Sequence, residues 1–258
     1  MPGRVFAIVA HPDDIEFTMA GTLILLKNAG YEVHMMNIAD GSCGSLVMPP
    51  DEIASVRARE AQDAADLLGA TWHPPIVRDL DIMYCPEQLA KVAAVMRKVA
   101  PDILLVHSPQ DYMEDHMNAC RLAVTAAFTR NIPNYPTEPS VPTTQQSLTI
   151  YHAQPHGNRD QFGQLVKPSL YVDIADAIDL KEQMLSCHVS QKSWLDETQG
   201  MGSYLKIMRD HASEVGKWSG KFSFAEGFRR HNHLGFCDEK SDPLLQVLKE
   251  HVFVPQSD

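Results

Sequence analysis

The N-terminal part of the sequence predicts a strand, a helix and a second strand in quick succession. Arg4–Ala10 is a continuous apolar run, the pattern of a strand buried on both faces. Residues from about Glu16 to Asn28 carry helical periodicity, and Gly30 is a natural stop for that helix. Glu32–Ile38 is a second strand-like run. Such a βαβ unit requires parallel strands, because the crossover helix returns the chain to the same edge of the sheet.

The same alternation continues along the chain. Further helical patterns and strand-like runs follow one another at Asp51–Leu68, Thr71–Val77, Pro86–Ala100, Asp102–His107, Glu114–Arg130, Ser147–His152, Ser169–Ile174, Ala175–Gln191 and Met201–Ala212. Asp51 is a candidate N-cap and Gly69 a candidate stop for the first of these helices. Asn131–Gln146 interrupts the pattern with four prolines, and we interpret it as an excursion too short to separate two domains. We predict a single α/β domain over residues 1–258, with a Rossmann-like, doubly wound, mostly parallel sheet and helices on both faces.

Composition narrows the classes of function. The formal net charge is −11, from 22 Lys and Arg against 33 Asp and Glu, which argues against binding nucleic acid or, by charge alone, an anionic membrane. We find no apolar stretch near the roughly 20 residues that span a bilayer, and no signal-peptide pattern. The five cysteines predict free thiols in a reducing compartment, hence a cytoplasmic protein, rather than a disulfide scaffold or a cysteine zinc site. They are Cys43, Cys85, Cys120, Cys187 and Cys237.

The stretch His11-Pro12-Asp13-Asp14 lies between the first strand and the first helix. In doubly wound sheets, ligands bind outside the carboxyl ends of the strands, which is where this stretch is placed. A dinucleotide site would need G-x-G-x-x-G at this point. Two carboxylates would instead repel a pyrophosphate, so nicotinamide and flavin cofactors are disfavoured.

A metal ion suits the same residues better. His11 and Asp14 are three residues apart at a turn and can converge on one cation. Imidazole nitrogen with carboxylate oxygen suits zinc, and a catalytic site would take a third protein ligand and leave a position for water. The alternative is that Asp13 or Asp14 only caps the helix that follows.

The third ligand is expected from the carboxyl end of another strand. The strand around residues 103–106 is followed by a segment from His107 to His116 that holds two histidines and three acids. His116 stands where the next helix begins, with Asp115 beside it, and is the better ligand candidate. His107 is equally compatible with a structural role in the core.

These motifs resemble the zinc-dependent de-N-acetylases of the PIG-L (LmbE-like) family. The resemblance rests first on Ala10-His11-Pro12-Asp13-Asp14-Ile15-Glu16 followed by Gly21-Thr22-Leu23. The family's second block, His-Pro-Asp-His, has its counterpart in Met113-Glu114-Asp115-His116. Weaker similarities are Arg57-Ala58-Arg59-Glu60 with Leu68-Gly69, Cys187-His188-Val189-Ser190-Gln191, and Ala225-Glu226-Gly227-Phe228-Arg229. Members remove acetyl groups from N-acetylglucosamine-containing molecules and related amides.

The resemblance implies a role for each matching residue. His11, Asp14 and His116 would hold Zn²⁺, Asp13 would be the general base, and Arg57 would bind substrate hydroxyls. General chemistry agrees, since zinc acidifies water and a carboxylate within hydrogen-bond reach can collect the proton.

Residues beside the second block complete the expected site. A ligating histidine needs its other ring nitrogen held, and Asp111 or Asp115 can supply that hydrogen bond. Met113 replaces the family histidine that helps to stabilise the oxyanion, and a thioether cannot donate a hydrogen bond. We therefore assign Met113, with Tyr112, to the wall of the substrate pocket and expect another donor at the open side of the metal. The candidates for that donor are Tyr112, His107, His152, His156 and His188.

The leading functional prediction is a zinc hydrolase that removes an acetyl group from an N-acetylated amino sugar or a related small amide. The alternatives are a conjugate amidase of the same family and a sugar-binding protein with a crippled site. The expected partner is a small N-acyl amino sugar or glycoconjugate. Asn131–Gln146 either lines the pocket with Tyr151, His152 and His156 or forms a subunit contact in a homo-oligomer, and the histidine-bearing stretches are equally compatible with ordinary surface.

Overall fold

A computed structural model describes residues 3–192, 195 and 204–255 of the chain. Within these residues the strands are β1 (Arg4–Val9), β2 (Glu32–Asn37), β3 (Thr71–His73), β4 (Ile103–Val106), β5 (Thr149–Ala153), β6 (Leu170–Asp173), β7 (Ala225–Arg230) and β8 (Val252–Phe253). The helices are α1 (Asp14–Thr18), α2 (Ala20–Asn28), α3 (Pro50–Leu68), α4 (Pro86–Val99), α5 (Glu114–Thr129), α6 (Ile178–Ser186), α7 (Tyr204–Ser219) and α8 (Pro243–Leu248). Short 3₁₀ turns lie at His156–Asn158 and Lys249–His251.

The strands form one mixed sheet in the order β3-β2-β1-β4-β5-β7-β6-β8. The first five strands pair in parallel, with β1 between β2 and β4. β7 runs antiparallel to β5 and β6, and β8 runs antiparallel to β6. The predicted Rossmann-like, mostly parallel sheet is therefore confirmed.

Strand β1 shows why the sheet needs helices on both faces. Val5, Ala7 and Val9 pack into the core beside α2, α3 and α6, whereas Phe6 and Ile8 pack into a second core beside α4 and α5. All of these side chains are fully buried. Because successive side chains on a strand point to opposite faces, a strand without polar alternation must be covered on both sides.

The helix that the sequence predicts after β1 is in fact two helices, which meet at Met19. The break frees the first amides of α2, and Glu226 of β7 binds them: its carboxylate accepts bonds of 2.8 Å from Gly21 N and 2.7 Å from Thr22 N. Lys181 of α6 pairs with the same carboxylate, and both charged groups are buried. A carboxylate at a helix N-terminus is favourable because the unsatisfied amides and the helix dipole meet it there.

Helix ends agree with the sequence at some points and not at others. Gly69 stops α3 in the left-handed conformation at φ +68°, as predicted. The predicted N-cap at Asp51 is wrong, because Pro49 holds that position and the carboxylate of Asp51 instead binds Arg78. The predicted helix Met201–Ala212 begins in residues outside the described part, and α7 continues to Ser219.

The proline-rich excursion, Asn131–Gln146, is irregular, and one arginine of α4 holds it through hydrogen bonds to backbone carbonyl oxygens. Arg97 of α4 donates hydrogen bonds to the carbonyl oxygens of Thr129, Ile132, Tyr135 and Val141. The excursion therefore packs beside α4 and α5.

All five cysteines are free. None of the helices in the described ranges combines the length and the apolar character that crossing a bilayer requires.

Candidate active site

Loops from adjacent parallel strands meet at one edge of the sheet. β1, β4 and β5 are neighbours, so their carboxyl ends bring together the segment after Ala10, the segment after Val106 and the turn at His156. The cavity between them has a volume of about 630 Å³ and is bounded on the far side by residues of α7. The edge predicted from the sequence to carry the chemistry is thus a concave site.

Asp14 is the hub of this site. Its Oδ1 lies 3.5 Å from Nε2 of His116, and its Oδ2 lies 3.4 Å from Nδ1 of His11. One ligand atom from each of these three residues falls within 4.8 Å of the others, and all three residues are buried. The backbone amide of His11 also donates to Asp14 Oδ2 at 2.7 Å, which holds the turn closed. The structure therefore brings the three predicted metal ligands together.

Two further carboxylates hold the outer ring nitrogens of these histidines. Nε2 of His11 lies 3.1 Å from Asp115, and Nδ1 of His116 lies 3.0 Å from Asp111. A carboxylate on one ring nitrogen makes that nitrogen the protonated one and directs the lone pair of the other toward the metal position. Both predicted supporting residues are thus in hydrogen-bond contact with the predicted ligands.

Imidazoles and carboxylates shift one another's pKa values in this site. Burial by itself lowers the pKa of His11, but hydrogen bonds to Asp115 and Asp14 raise it to about 10. Burial by itself raises the pKa of Asp14, but the imidazoles of His116 and His107 hold it well below its usual range. An ionised carboxylate together with imidazole nitrogens forms a donor set that suits a divalent cation such as zinc.

His107 lies beside this group, with its Nε2 3.2 Å from Oδ2 of Asp14. Its Nε2 accepts a hydrogen bond of 3.0 Å from the backbone amide of Ala10, so that nitrogen carries a lone pair and not a proton. Its ring stacks on that of His116 with centroids 4.2 Å apart. His107, Asp111 and His116 also fall within metal-binding distance of one another, but His107 and Asp111 are buried and do not line the cavity.

Asp13 has a strained backbone and a well-held side chain. Its φ of +101° is rare for a residue with a side chain, and such strain is concentrated at functional sites. One carboxylate oxygen accepts a 2.7 Å bond from the hydroxyl of Tyr204, and the other lies 3.5 Å from Nη2 of Arg57. Burial raises the pKa of Asp13, although Arg57 opposes the shift. Asp13 faces the cavity without capping α1 through its side chain.

Residues 6–128 match the family model described as PIG-L, GlcNAc-PI de-N-acetylase. The resemblance to the PIG-L family is thus confirmed over this region. The matched region runs from β1 into α5 and so includes both segments that supply His11, Asp14 and His116.

Several relatives extend the similarity beyond the matched region. A diacetylchitobiose deacetylase from Thermococcus kodakarensis is 28% identical over 236 residues, which make up 88% of this chain and 82% of the relative. A 4-oxalmesaconate hydratase from Pseudomonas putida is 27% identical over 194 residues, or 72% of each chain. The N,N'-diacetylchitobiose deacetylase of Pyrococcus horikoshii, solved with its inhibitor MPG, superposes with a TM-score of 0.74 at 26% identity, covering 90% of this chain and 84% of that one.

Met113, the position at which this chain departs from the PIG-L pattern, lies in the cavity wall. Among the residues considered as a replacement donor, His156 is the best placed. Its Nε2 is buried without a hydrogen-bond partner and lies 3.4 Å from Oδ1 of Asp14. Its ring stacks on Phe17 with centroids 4.2 Å apart. Tyr112 also lines the cavity but is 60% exposed at its mouth.

The other histidine candidates do not line the cavity. His152 bonds through one ring nitrogen to the carbonyl of His107 and through the other to Nδ1 of His231. His188 is fully buried, with Nε2 3.3 Å from a carboxylate oxygen of Glu16, and does not line the cavity.

Three expectations about the pocket wall are wrong. Tyr151 is fully buried, donates to Asp242 at 2.6 Å and is not among the lining residues. His152 is removed from the cavity by the bonds just described, and none of the residues Asn131–Gln146 lines it. Of the set proposed from the sequence, His156 alone is part of the described cavity lining.

Several cavity residues carry no signal in the sequence. Tyr204 stands in an ordinary amphipathic helix, and Phe17 and Ile207 have the spacing of core residues. Asp79 follows β3 in an irregular segment, where its carboxylate binds the amides of Gly41 and Cys43 at 2.8 and 3.0 Å. A sequence motif finds residues that recur at a fixed spacing, whereas these residues come from α1, α7 and the irregular segment after β3.

Proposed function

We propose that this protein is a zinc-dependent hydrolase that removes the acetyl group from an N-acetylated amino sugar. The observation that carries the proposal is the placement of Asp13 next to the cluster of His11, Asp14 and His116, facing the same cavity but bound to Tyr204. Such a site has three candidate ligands and one separate candidate base. The deacetylase relatives support the same reaction.

The donor set fits a zinc ion. Two imidazole nitrogens and one carboxylate oxygen are borderline ligands of the kind that zinc takes, and three protein ligands are typical of catalytic zinc sites. The carboxylates of Asp111 and Asp115 on the outer nitrogens complete the arrangement expected around ligating histidines. We therefore assign zinc binding to His11, Asp14 and His116.

Among the chain's own groups, Asp13 carries the proton, and Tyr204 and Arg57 position Asp13. When bound, zinc would polarise the amide carbonyl and acidify the attacking water. Asp13 accepts the proton of that water and returns it to the nitrogen of the departing amine. Tyr204 and Arg57 hold the two oxygens of Asp13 in place, and burial of the carboxylate makes it a stronger base.

His156 supplies the hydrogen bond that Met113 cannot. A buried imidazole nitrogen without a partner is costly unless a ligand satisfies it. The carbonyl oxygen of the scissile amide gains negative charge in the transition state, and a donor at the cavity wall stabilises it there. Stacking on Phe17 holds the ring of His156 in the cavity wall, with its Nε2 3.4 Å from Oδ1 of Asp14.

The polar end of the cavity suits sugar hydroxyls. Arg57 is buried, with one nitrogen bonded to the carbonyl of Pro12, and it lines the cavity together with Gly44 and Gln191. A Cβ on Gly44 would lie 3.0 Å from Nη1 of Arg57, so the glycine keeps this end accessible. A hydroxyl can accept from the guanidinium and donate to the Oε1 of Gln191, which has no partner among the described residues.

The hydratase relative suggests a second reaction, which the charges of this cavity disfavour. A carboxylate substrate would need cationic side chains, and among the described lining residues the only Lys or Arg is Arg57. Apart from the proposed metal ligands, Asp13, Asp79 and Glu114 also line the cavity, so carboxylates outnumber this one arginine among the described lining residues. A neutral amide substrate is therefore favoured.

The five free cysteines support our further proposal that the enzyme works in the cytoplasm.

The proposal is tested by assaying the free acid and the free amine released from a panel of N-acetyl amino sugars, N,N'-diacetylchitobiose among them, and from N-acyl counterparts that carry a larger acyl group. The protein is assayed as purified, after removal of metal by a chelator, and after zinc is restored. We expect acetate and amine in equal amounts, loss of both on chelation, and recovery with zinc. Release of a larger acyl group but no acetate would identify a conjugate amidase, and zinc binding without any hydrolysis would favour a sugar-binding protein.

A further inference from the structure

Large apolar side chains stand exposed at the mouth of the cavity. Leu80 and Tyr112 are each 60% exposed, and both line the cavity with the half-buried Met113. We call these three residues the apolar rim. They come from two separate segments, the turn that follows β3 and the segment that precedes α5.

The position of Leu80 carries two costs that folding does not explain. Its backbone is in the left-handed region at φ +64°, which a leucine rarely adopts and which glycine or asparagine would tolerate better. Its side chain also gains little from burial. The Leu80 amide donates a 2.9 Å bond to the same Oδ2 of Asp115 that holds Nε2 of His11. The strained turn is thus fixed to a candidate metal ligand through one carboxylate.

The second segment of the rim is fixed in the same way. The amide of Met113 donates a 3.2 Å bond to Oδ1 of Asp111, the oxygen that holds Nδ1 of His116. Each of the two supporting carboxylates therefore binds one candidate ligand and one rim segment. The rim is consequently held at a fixed distance from the reacting centre, as a specificity element must be.

Charge narrows the kind of group that the rim can accept. Asp79 precedes Leu80 and Glu114 follows Met113 in the sequence, and both acids line the cavity. Among the described lining residues, neither sequence neighbour of the rim is a lysine or an arginine. Phosphate or carboxylate groups would be repelled there. An exposed apolar pair flanked by acids suits an uncharged alkyl or aryl group.

We infer that the apolar rim binds an uncharged alkyl or aryl aglycone of the N-acetyl amino sugar. This inference rests on the proposed function. The reacting amide must lie against Asp13, which is buried with Phe17 and Tyr204 at the inner end of the cavity. The acetyl group is therefore enclosed, and the part of the substrate that reaches the exposed rim is the substituent on the amine-bearing sugar.

Two substrate series separate an aglycone from an acyl chain. In the first, N-acetylglucosamine carries methyl, butyl, hexyl, octyl or phenyl as the aglycone. In the second, methyl glucosaminide carries N-acetyl, N-butyryl or N-hexanoyl. We expect kcat/KM to rise roughly two- to fourfold per added methylene in the first series, as transfer of that group from water to an apolar surface predicts, and to fall in the second.

Rim variants test whether these residues cause the preference. Leu80→Asn removes the apolar side chain but keeps a residue that tolerates positive φ, and Tyr112→Ser removes the aromatic ring. The ratio of octyl to methyl kcat/KM should fall about tenfold in each. Leu234→Ser is the matched control, because Leu234 is 68% exposed and is not among the lining residues. The ratio does not depend on how much of a variant is folded.

Each outcome of these assays decides the inference. A rising aglycone series that flattens in the rim variants and persists in the control supports it. Hydrolysis of the methyl and octyl glycosides at equal rates overturns the inference and leaves the proposed function standing. A gain in the acyl series alone shows that the rim holds an acyl chain and also overturns it. If zinc-loaded protein hydrolyses neither the methyl nor the octyl glycoside, both this inference and the proposed function are overturned.

Discussion

The hydroxyl of Tyr204 donates a hydrogen bond of 2.7 Å to Oδ2 of Asp13, across 191 residues of sequence. Burial and the neighbouring carboxylate raise the pKa of Tyr204 well above its usual value, so the hydroxyl keeps its proton and remains a donor. On the other side of the carboxylate, Arg57 approaches Oδ1. Helix α7 thus fixes the orientation of a side chain that the loop after β1 presents to the cavity.

Replacement of Tyr204 by Phe tests this positioning role. A hydrogen bond to a charged group contributes roughly 1.5–3 kcal/mol, so we expect Tyr204→Phe to lower kcat about 10- to 100-fold while KM changes little. Zinc content should stay near that of the parent protein. Tyr151→Phe is the matched control, because it removes a buried tyrosine–aspartate bond of 2.6 Å to Asp242 outside the cavity. An equal loss of kcat in the control would show that the effect is general destabilisation.

The role of His156 is tested by deletion and rescue. His156→Phe keeps an aromatic ring against Phe17 but removes the N–H, and we expect kcat to fall roughly 10²- to 10³-fold, the usual cost of losing one oxyanion donor. Zinc content should not change. Introducing Met113→His into that variant returns a donor to the position that the family pattern gives to histidine, and part of kcat should recover.

Two results would contradict this role for His156. One is a His156→Phe protein with unchanged kcat, since the donor would then be unnecessary. The other is loss of zinc in the same variant, which would make His156 a ligand rather than a donor.

Glu226 links folding to the geometry of the site. Its carboxylate binds the first amides of α2 and pairs with buried Lys181, so Glu226→Gln leaves a buried ammonium without its counterion. We expect the free energy of unfolding to fall by about 3–5 kcal/mol in urea titrations. Adding Lys181→Met should recover part of that loss. Glu250→Gln, at an exposed carboxylate, should change the unfolding free energy little, and a similar small change at Glu226 would contradict the account.

The first half of the fold could be predicted because local pattern and tertiary structure agree there. Residues of β1 are apolar on both faces, which specifies a central parallel strand, and Gly69 ends α3 where the pattern stops. The break at Met19 could not be predicted, because its cause is a carboxylate some two hundred residues away in sequence. Strands β7 and β8 and helix α8 were missed, because their short segments carry no distinct periodicity.

The residues of the candidate site also fall into those that the sequence predicts and those that it does not. His11, Asp14 and His116 follow strand ends, so the topology of a parallel sheet is enough to bring them together. Tyr204 reaches the site from a helix whose sequence is that of any amphipathic helix. The sequence presented His156 as one of several candidate donor histidines, and only its place in the cavity lining distinguishes it from the others.

The most direct test of the account compares zinc content and turnover in Asp13→Asn and Asp14→Asn. Elemental analysis should find about one zinc per chain in the parent protein and in Asp13→Asn, but far less in Asp14→Asn and in His116→Ala. Turnover of an N-acetyl amino sugar by zinc-loaded Asp13→Asn should fall roughly 10²- to 10⁴-fold, because a general base has been removed and no ligand lost. Loss of zinc from Asp13→Asn, or full zinc retention in Asp14→Asn, would contradict the assignment of base and ligand on which the proposed function depends.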